Sequence, residues 1–320
     1  PSDDVEILLS GEYFHENDSN YAFHYFGPTV APENALGSIL GGETLFTAAA
    51  ANGTTANIRN IYSDEEPLNR REGYSFTGSI EYDAGDWSLK SISSYHNFER
   101  FNRDDLDASN VNMFGQNNYD ETSETYSQEF VANYQSERFD AILGAMYFKE
   151  DLFGSVRVPL TNLGLLFMLP ADTFNDQNYL QQGKVSIDAY GVYAQGSYAF
   201  TDQLKVTLGG RFSHEKRRGT GTFEFLGVVP TDKAASWDAF TPTLTVNYQA
   251  NDNTLIYGSV TRGFKSGVIN VGSQNDVIDP EYVWSYEVGI KTTSDDNRLQ
   301  ANLAAFYMDY SNLQVGFVDA

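Results

Sequence analysis

The chain has 320 residues, with 20 basic against 44 acidic side chains, a net charge of −24 and no cysteine. That balance argues against nucleic-acid binding, whose affinity rests on Lys and Arg at phosphates. The missing cysteine excludes a disulfide frame, a thiolate metal site and a Cys nucleophile. No run reaches the roughly 18 uncharged apolar residues of a membrane helix: the longest candidate, Leu160 to Ala171, is short and holds Asn162 and Pro170.

Val5 to Phe14 reads as a strand. His15 to Gly73 is a long irregular stretch that carries an aromatic cluster, Tyr21, Phe23, Tyr25 and Phe26, then Pro28 and Pro32, then a small-residue segment, Leu45 to Ala51, suited to a short helix. Tyr74 to Tyr82 and Trp87 to Arg100 are strands about a tight turn at Asp83 to Asp86. Phe101 to Thr122 is irregular and rich in Asn and Asp. Tyr126 to Tyr134 and Phe139 to Phe148 form a hairpin about Gln135 to Arg138. A third long stretch, Glu150 to Gly183, leads to two alternating runs within Val185 to Phe212, joined at Thr201-Asp202-Gln203. Arg217 to Ala235, with Gly219 and Gly221, reads as irregular. Phe240 to Tyr248 and Leu255 to Phe264 flank Ala250 to Asn253. Lys265 to Pro280 is irregular, and Tyr282 to Lys291 and Leu299 to Tyr310 flank Thr293 to Asn297.

The connections thus alternate between short polar turns and long irregular stretches. The strands alternate too, because successive side chains on a strand point to opposite faces. Tyr190, Val192, Ala194, Gly196, Tyr198 and Phe200 share one face; Leu204, Val206, Leu208, Gly210 and Phe212 share another. Phe240, Pro242, Leu244, Val246 and Tyr248 oppose four polar residues, and Tyr282, Trp284, Tyr286, Val288 and Ile290 oppose Glu287 and Lys291. Lys205, Arg211, Glu287 and Lys291 all avoid the apolar face, where a charge near the membrane midplane costs roughly 2–4 kcal/mol. Leu255 to Phe264 and Phe139 to Phe148 are apolar on both faces, which calls either for a bulge that shifts the register or for a filled lumen. Short turns at one rim and long loops at the other are the pattern of an outer-membrane barrel. A soluble sandwich or propeller has no reason to sort its loops this way. The expectation is an all-β, antiparallel transmembrane β-barrel, of which the chain holds about eleven strands.

Several stretches resemble the barrel of TonB-dependent outer-membrane receptors: Tyr257 to Asn270 (YGSVTRGFKSGVIN), Asp279 to Lys291 (DPEYVWSYEVGIK) and Leu299 to Gln314 (LQANLAAFYMDYSNLQ), supported by Tyr126 to Phe130, Ile142 to Phe148, Tyr190 to Gly196 and Gly209 to Lys216. They run in the family's order from about Tyr74 onward. The resemblance implies a barrel of about 22 strands with a plugged lumen, of which this chain is a fragment lacking both the plug domain and the TonB box. It implies a place in the outer membrane of a Gram-negative bacterium, in contact with lipid and lipopolysaccharide. It also implies active uptake of a large nutrient, foremost a ferric siderophore, energised by TonB through the plug. A passive porin-like channel and a soluble β-sandwich or propeller are the competing readings. No secretory signal opens the chain at Pro1-Ser2-Asp3-Asp4, so a signal is expected on an upstream piece.

No catalytic constellation stands out, and neither an enzyme activity nor a cofactor is expected. The histidines, His15, His24, His96 and His214, are scattered; rim positions are the better reading than a metal site. The acidic runs Asp104, Asp105, Asp107 and Asp120, Glu121 suit solvated loops better than a Ca²⁺ or Mg²⁺ site, since they lack the spacing and glycine of an EF-hand. Ligand contacts are assigned to Tyr21, Phe23, Tyr25 and Phe26, which serve either a ligand or the packing of their own loop, and to Arg211 and Arg262. Arg262, in the Arg-Gly-Phe motif, also has a structural reading. Lys205, Glu287 and Lys291 are expected to face the lumen, where they line a route or pair with one another or with a plug.

Overall fold

The structure, a computed structural model, describes residues 4–19, 63, 65–106, 115–161, 170–175, 177–225, 227–271 and 277–315. They form one antiparallel sheet of eleven strands in sequence order: β1 (Val5–Asp18), β2 (Leu68–Ala84), β3 (Trp87–Asp104), β4 (Asn117–Gln135), β5 (Phe139–Pro159), β6 (Asn178–Ala199), β7 (Leu204–Glu224), β8 (Val228–Asn251), β9 (Thr254–Lys265), β10 (Glu281–Thr293) and β11 (Gln300–Ser311). Each strand pairs with its neighbours in chain order, so the sheet is a continuous meander. The aromatic cluster Tyr21 to Phe26, His24 and the segment Leu45 to Ala51 lie outside the described residues.

All five short turns fall where the sequence places them, and each is closed by a side-chain oxygen. Asp83 Oδ1 accepts from the Gly85 amide at 2.9 Å, with Gly85 at φ +76°, a conformation that favours glycine. Ser136 Oγ accepts from Phe139 N at 3.1 Å, and Thr201 Oγ1 from Leu204 N at 3.0 Å. Asn251 Oδ1 accepts from Asn253 N at 3.0 Å, and Ser294 Oγ from Leu299 N at 3.0 Å. These residues form turns because a short oxygen-bearing side chain replaces the backbone partner that the reversing chain has lost.

Strand length is unequal. β9, β10 and β11 have 12, 13 and 12 residues, close to the 9–11 that a tilted strand needs to cross a bilayer. β5, β6, β7 and β8 have 21, 22, 21 and 24. At about 3.3 Å per residue they reach roughly 70 Å, well beyond a hydrocarbon layer of about 30 Å. The short turns hold one rim level, so the excess projects from the other. One sequence expectation is overturned here. Arg217 to Ala235 is not irregular: it is the upper half of β7 and β8, paired from Arg217↔Ala235 to Glu224↔Val228. Above the membrane no lipid selects an apolar face, and the inner face is built of glycines on which the β9–β10 connection rests, so no apolar alternation marks the strands although the backbone ladder continues.

The faces sort as the alternation requires. Cross-strand pairs Tyr198↔Val206, Val206↔Val246, Leu208↔Leu244, Leu244↔Val260 and Val260↔Tyr286 form one apolar layer across five strands. Leu208 is 65% and Val288 64% exposed, a large apolar area offered outward. Aromatic rings border this band. Trp87 meets Tyr134 at 5.0 Å and Tyr198 meets Phe200 at 4.9 Å near the short turns. Tyr126 and Tyr147 lie 6.4 Å apart towards the other rim, where Tyr95 and Tyr147 donate their hydroxyls to Glu124 and Asp188. An apolar ring with a polar tip suits a boundary between hydrocarbon and water.

The two strands that were apolar on both faces contain no bulge. β5 pairs without interruption on either side, and the one register shift in this region lies at Gln249/Asn251, in the turn before β9. Ile142, Met146 and Phe148 therefore point to the inner, polar face, which is partly filled by side chains.

Replacing Leu208 by Arg places a charge in the middle of the apolar band, at a cost of about 2–4 kcal/mol. In the full-length protein this lowers the yield of folded, heat-modifiable barrel on SDS gels. Thr207→Arg, one residue away on the inner face, leaves the yield close to wild type. Equal losses from both would contradict the assigned faces.

Candidate functional site

The inner face carries polar groups at three heights. Nearest the short turns, Lys205 Nζ lies 2.7 Å from Asp140 Oδ2 and Lys90 Nζ 3.1 Å from Glu81 Oε2. In the same layer Tyr257 donates its hydroxyl to Glu287 Oε1 at 2.5 Å, and Lys291 Nζ stands 5.4 Å from the centre of the Tyr257 ring. Lys205, Glu287 and Lys291 lie on the polar face of the sheet, and each has a partner from the same wall.

At mid-height β4, β5, β6 and β7 bring Glu129, Met146, Tyr193 and Arg211 together. Tyr193 donates to Glu129 Oε1 at 2.9 Å across the intervening strand. The Arg211 guanidinium lies 6.0 Å from the Tyr193 ring centre, donates Nε–H to Ser213 Oγ at 2.9 Å and rests against the Met146 sulfur. Gly191 lies between them: a Cβ there would stand 2.8 Å from Arg211 Nη2, so a side chain at this position would displace the guanidinium. Arg211 lies on the inner face, held against the wall by these contacts.

At the far rim the strands rise above the apolar band and enclose a mouth. Arg100 and Glu121 form an ion pair at 2.7 Å. With Tyr119, Leu152, Gln181 and Val271 they line a cavity of about 290 Å³. Ile269 and Val271 arrive from the connection between β9 and β10, which folds back over β6 and β7. Its ends are joined by the backbone pair Val268 and Ile278, at 3.0 and 2.9 Å. Gln181 Nε2 donates to Val271 O at 2.6 Å, and Ile269 is 4% exposed. The seat for these two side chains consists of glycines. A Cβ on Gly219 would stand 2.6 Å from Ile269 Cγ2, and one on Gly221 2.5 Å from Val271 Cγ1. Two glycines spaced by two on one strand face are a sequence signal for close approach. That signal was present in Arg217 to Ala235 but carried no meaning while the stretch was read as irregular.

Arg262 lies apart from Arg211: it shares its face with Val260 and Trp284 on the apolar side, through the pair Trp284↔Arg262. Its guanidinium stacks 4.3 Å from the Tyr282 ring centre and 5.9 Å from that of Trp284, and Nη1 donates to Phe240 O at 3.2 Å. A planar cation with weak hydration suits this border of rings better than a lysine would. Among the described residues no three His, Cys, Asp or Glu converge as a metal cluster. The inner face is a surface of paired charges, tyrosines and amides, fit for recognition.

A family model described as the TonB dependent receptor-like β-barrel matches residues 9–320. The chain belongs to this family. Members of the TonB-dependent receptor family reside in the outer membrane of Gram-negative bacteria, which assigns the apolar face to lipid and the polar face to the lumen. The chain is 30% identical over 140 residues to the ferric-pyoverdine BN7/BN8 receptor of Pseudomonas putida, a match covering 43% of this chain and 17% of that receptor. It is 29% identical over 123 residues to the ferripyoverdine receptor of Pseudomonas aeruginosa, covering 38% and 14%. Among solved structures the fold matches the ferric yersiniabactin uptake receptor FyuA of Yersinia pestis, with a TM-score of 0.73, 18% identity and coverage of 98% of this chain and 44% of that one. It matches the siderophore receptor PiuA of Acinetobacter baumannii with a TM-score of 0.65, 16% identity and coverage of 95% and 47%. The chain therefore spans less than half the length of these receptors.

Gly219→Val should unseat the connection between β9 and β10 without disturbing the strand, since valine favours strands. Overpacking costs about 1–3 kcal/mol and raises cleavage of the full-length receptor after Lys265 roughly tenfold or more. Adding Ile269→Ala restores protection. An unchanged cleavage rate in Gly219→Val would show that the connection does not rest on these glycines.

Proposed function

We propose that this chain is part of the wall of a receptor that binds a ferric siderophore at the outer surface and imports it actively into the periplasm. The observation that carries the reading is the mouth: long strands raise Arg100, Tyr119, Glu121 and Gln181 above the membrane, and an inward-folded connection narrows the entrance beside them. The curated relatives, named as pyoverdine receptors, favour a ferric siderophore over other large nutrients. Further strands of the same receptor close the barrel, and a plug domain fills it, because a lumen of this width is otherwise an open pore. The plug takes its energy from TonB. In this reading the outer face meets lipid and lipopolysaccharide, and the protein works by binding and transport, without catalysis. Arg211, above the periplasmic layer of paired charges, and the aromatic cluster Tyr21, Phe23, Tyr25 and Phe26 serve the ligand and its route.

The test is uptake of ⁵⁵Fe-loaded siderophore by iron-starved cells with and without the full-length gene. Deletion abolishes accumulation and the intact gene restores it. A protonophore stops accumulation while surface binding persists. Accumulation that survives the protonophore, together with steady open conductance of the purified receptor in a planar bilayer, would replace this reading with a passive channel.

A further inference from the structure

Beside the mouth, on the lumen face, lies a row of short oxygen-bearing side chains that the transport reading leaves unused. Register places them opposite one another: Asp18↔Asn69, Asn69↔Asn102 and Asp104↔Asn117. Asn102 and Asp104 are two residues apart on β3 and share a face. Asn69 is 2% exposed, Asn102 3%, Asp104 1% and Asn117 0%.

The hydrogen bonds have a direction. Asn102 Nδ2 donates to Asn69 Oδ1 at 3.1 Å, and Asn69 Nδ2 donates to Asp18 Oδ1 at 3.3 Å. These amide hydrogens are thus spent towards β2 and β1, which leaves Asn102 Oδ1 on the side of β4. There Asn117 Nδ2 donates to Asp104 Oδ1. Three oxygens, Asn102 Oδ1, Asp104 Oδ2 and Asn117 Oδ1, are buried and have no hydrogen-bond partner among the described residues. Asn118 Oδ1 is also unpaired but belongs to the opposite face. Three acceptors with no donor are costly to bury, and a buried carboxylate oxygen demands a proton or a cation.

We propose that Asn102 Oδ1, Asp104 Oδ2 and Asn117 Oδ1 hold a calcium ion that clamps β3 to β4 at the outer rim. Asp104 and Asn117 are directly opposite, with Cβ atoms about 4.5–5.5 Å apart, and Asn102 is the diagonal neighbour of Asn117 at about 7–8 Å, spacings that side-chain oxygens can close around one ion with bonds of about 2.3–2.6 Å. The donors are hard oxygens, without imidazole or thiolate, which disfavours transition metals. Mg²⁺ gives up its waters reluctantly and is seldom held by a set of protein oxygens of this kind, which favours Ca²⁺. One carboxylate and two amide carbonyls give weak affinity, on the order of 10⁻⁴–10⁻³ M, as in extracellular calcium modules. The site needs neither the siderophore nor TonB, so its test is separate from that of the transport reading.

Tyr119, directly opposite Asn102, is placed to sensitise terbium luminescence. Full-length receptor in detergent is titrated with Tb³⁺, and Ca²⁺ is then used to displace it. We expect luminescence that Ca²⁺ quenches and that Mg²⁺ quenches at least tenfold less well. Asp104→Asn and Asn117→Ala each weaken binding at least tenfold, and Asn118→Ala leaves it unchanged. Ca²⁺ raises the Tm of the wild type and not that of Asp104→Asn. Should Asp104→Asn fail to give a heat-modifiable barrel, Asn102→Ala and Asn117→Ala carry the comparison. Equal Tb³⁺ binding by the wild type and the folded variants, or a Tm that Ca²⁺ moves in neither, would overturn the proposal and leave the row as an amide ladder. Equal displacement by Mg²⁺ would overturn the choice of calcium.

Discussion

Hydrocarbon offers no hydrogen bonds, so every backbone N–H and C=O that crosses it needs a partner within the protein. The rest of this structure depends on that constraint. It permits no irregular segment at membrane depth, and the eleven strands meet it with one continuous ladder. An uninterrupted ladder fixes the register, and a fixed register fixes the faces. Slipping one strand by one residue would turn Leu208 and Phe212 into the lumen and Lys205 and Arg211 into lipid, at a cost of several kcal/mol in total. The turn at Thr201 to Gln203, closed by Thr201 Oγ1, sets the register of β6 on β7 from one end.

Function is layered on this wall by height. Where the strands cross lipid, the inner face is occupied by its own pairs, Lys205 with Asp140 and Lys90 with Glu81. These charges satisfy one another and leave little for a ligand. Higher up, Arg211 is braced by Ser213, Met146 and Tyr193, and higher still the strands leave the membrane to form the mouth. There the same ladder holds different chemistry: the Arg100–Glu121 pair, the glycine seat under Ile269 and Val271, and the row of amides around Asp104.

What was legible in the sequence follows the same division. Within the membrane, lipid imposes a period of two, and the spacing of Leu204, Val206 and Leu208 shows it. The five turns were legible because their oxygens must be Asp, Ser, Thr or Asn. Above the membrane no lipid demands an apolar face and the covered inner face is made of Gly219 and Gly221, so Thr220, Thr222 and their neighbours carry no apolar alternation, and the upper half of β7 and β8 read as loop. Phe139 to Phe148 gave no clear face because Ile142, Met146 and Phe148 fill the lumen side of β5. The face of Arg262 follows from its parity with Val260, whereas its stacking on Tyr282 depends on the pairing of β9 with β10. The pairing of Glu129 with Tyr193 spans 64 residues, and nothing local announces it.

The central claim is that one face of this wall meets lipid and the other an aqueous or protein-filled lumen. It is tested most directly by a spin-label scan of residues 204 to 212, one label at a time, in the full-length protein in bilayers. The account predicts that accessibility to oxygen peaks at 204, 206, 208, 210 and 212 and that accessibility to a water-soluble nickel complex is low at those positions. Accessibility without a period of two, or equal exposure to water at Val206 and Thr207, would contradict it.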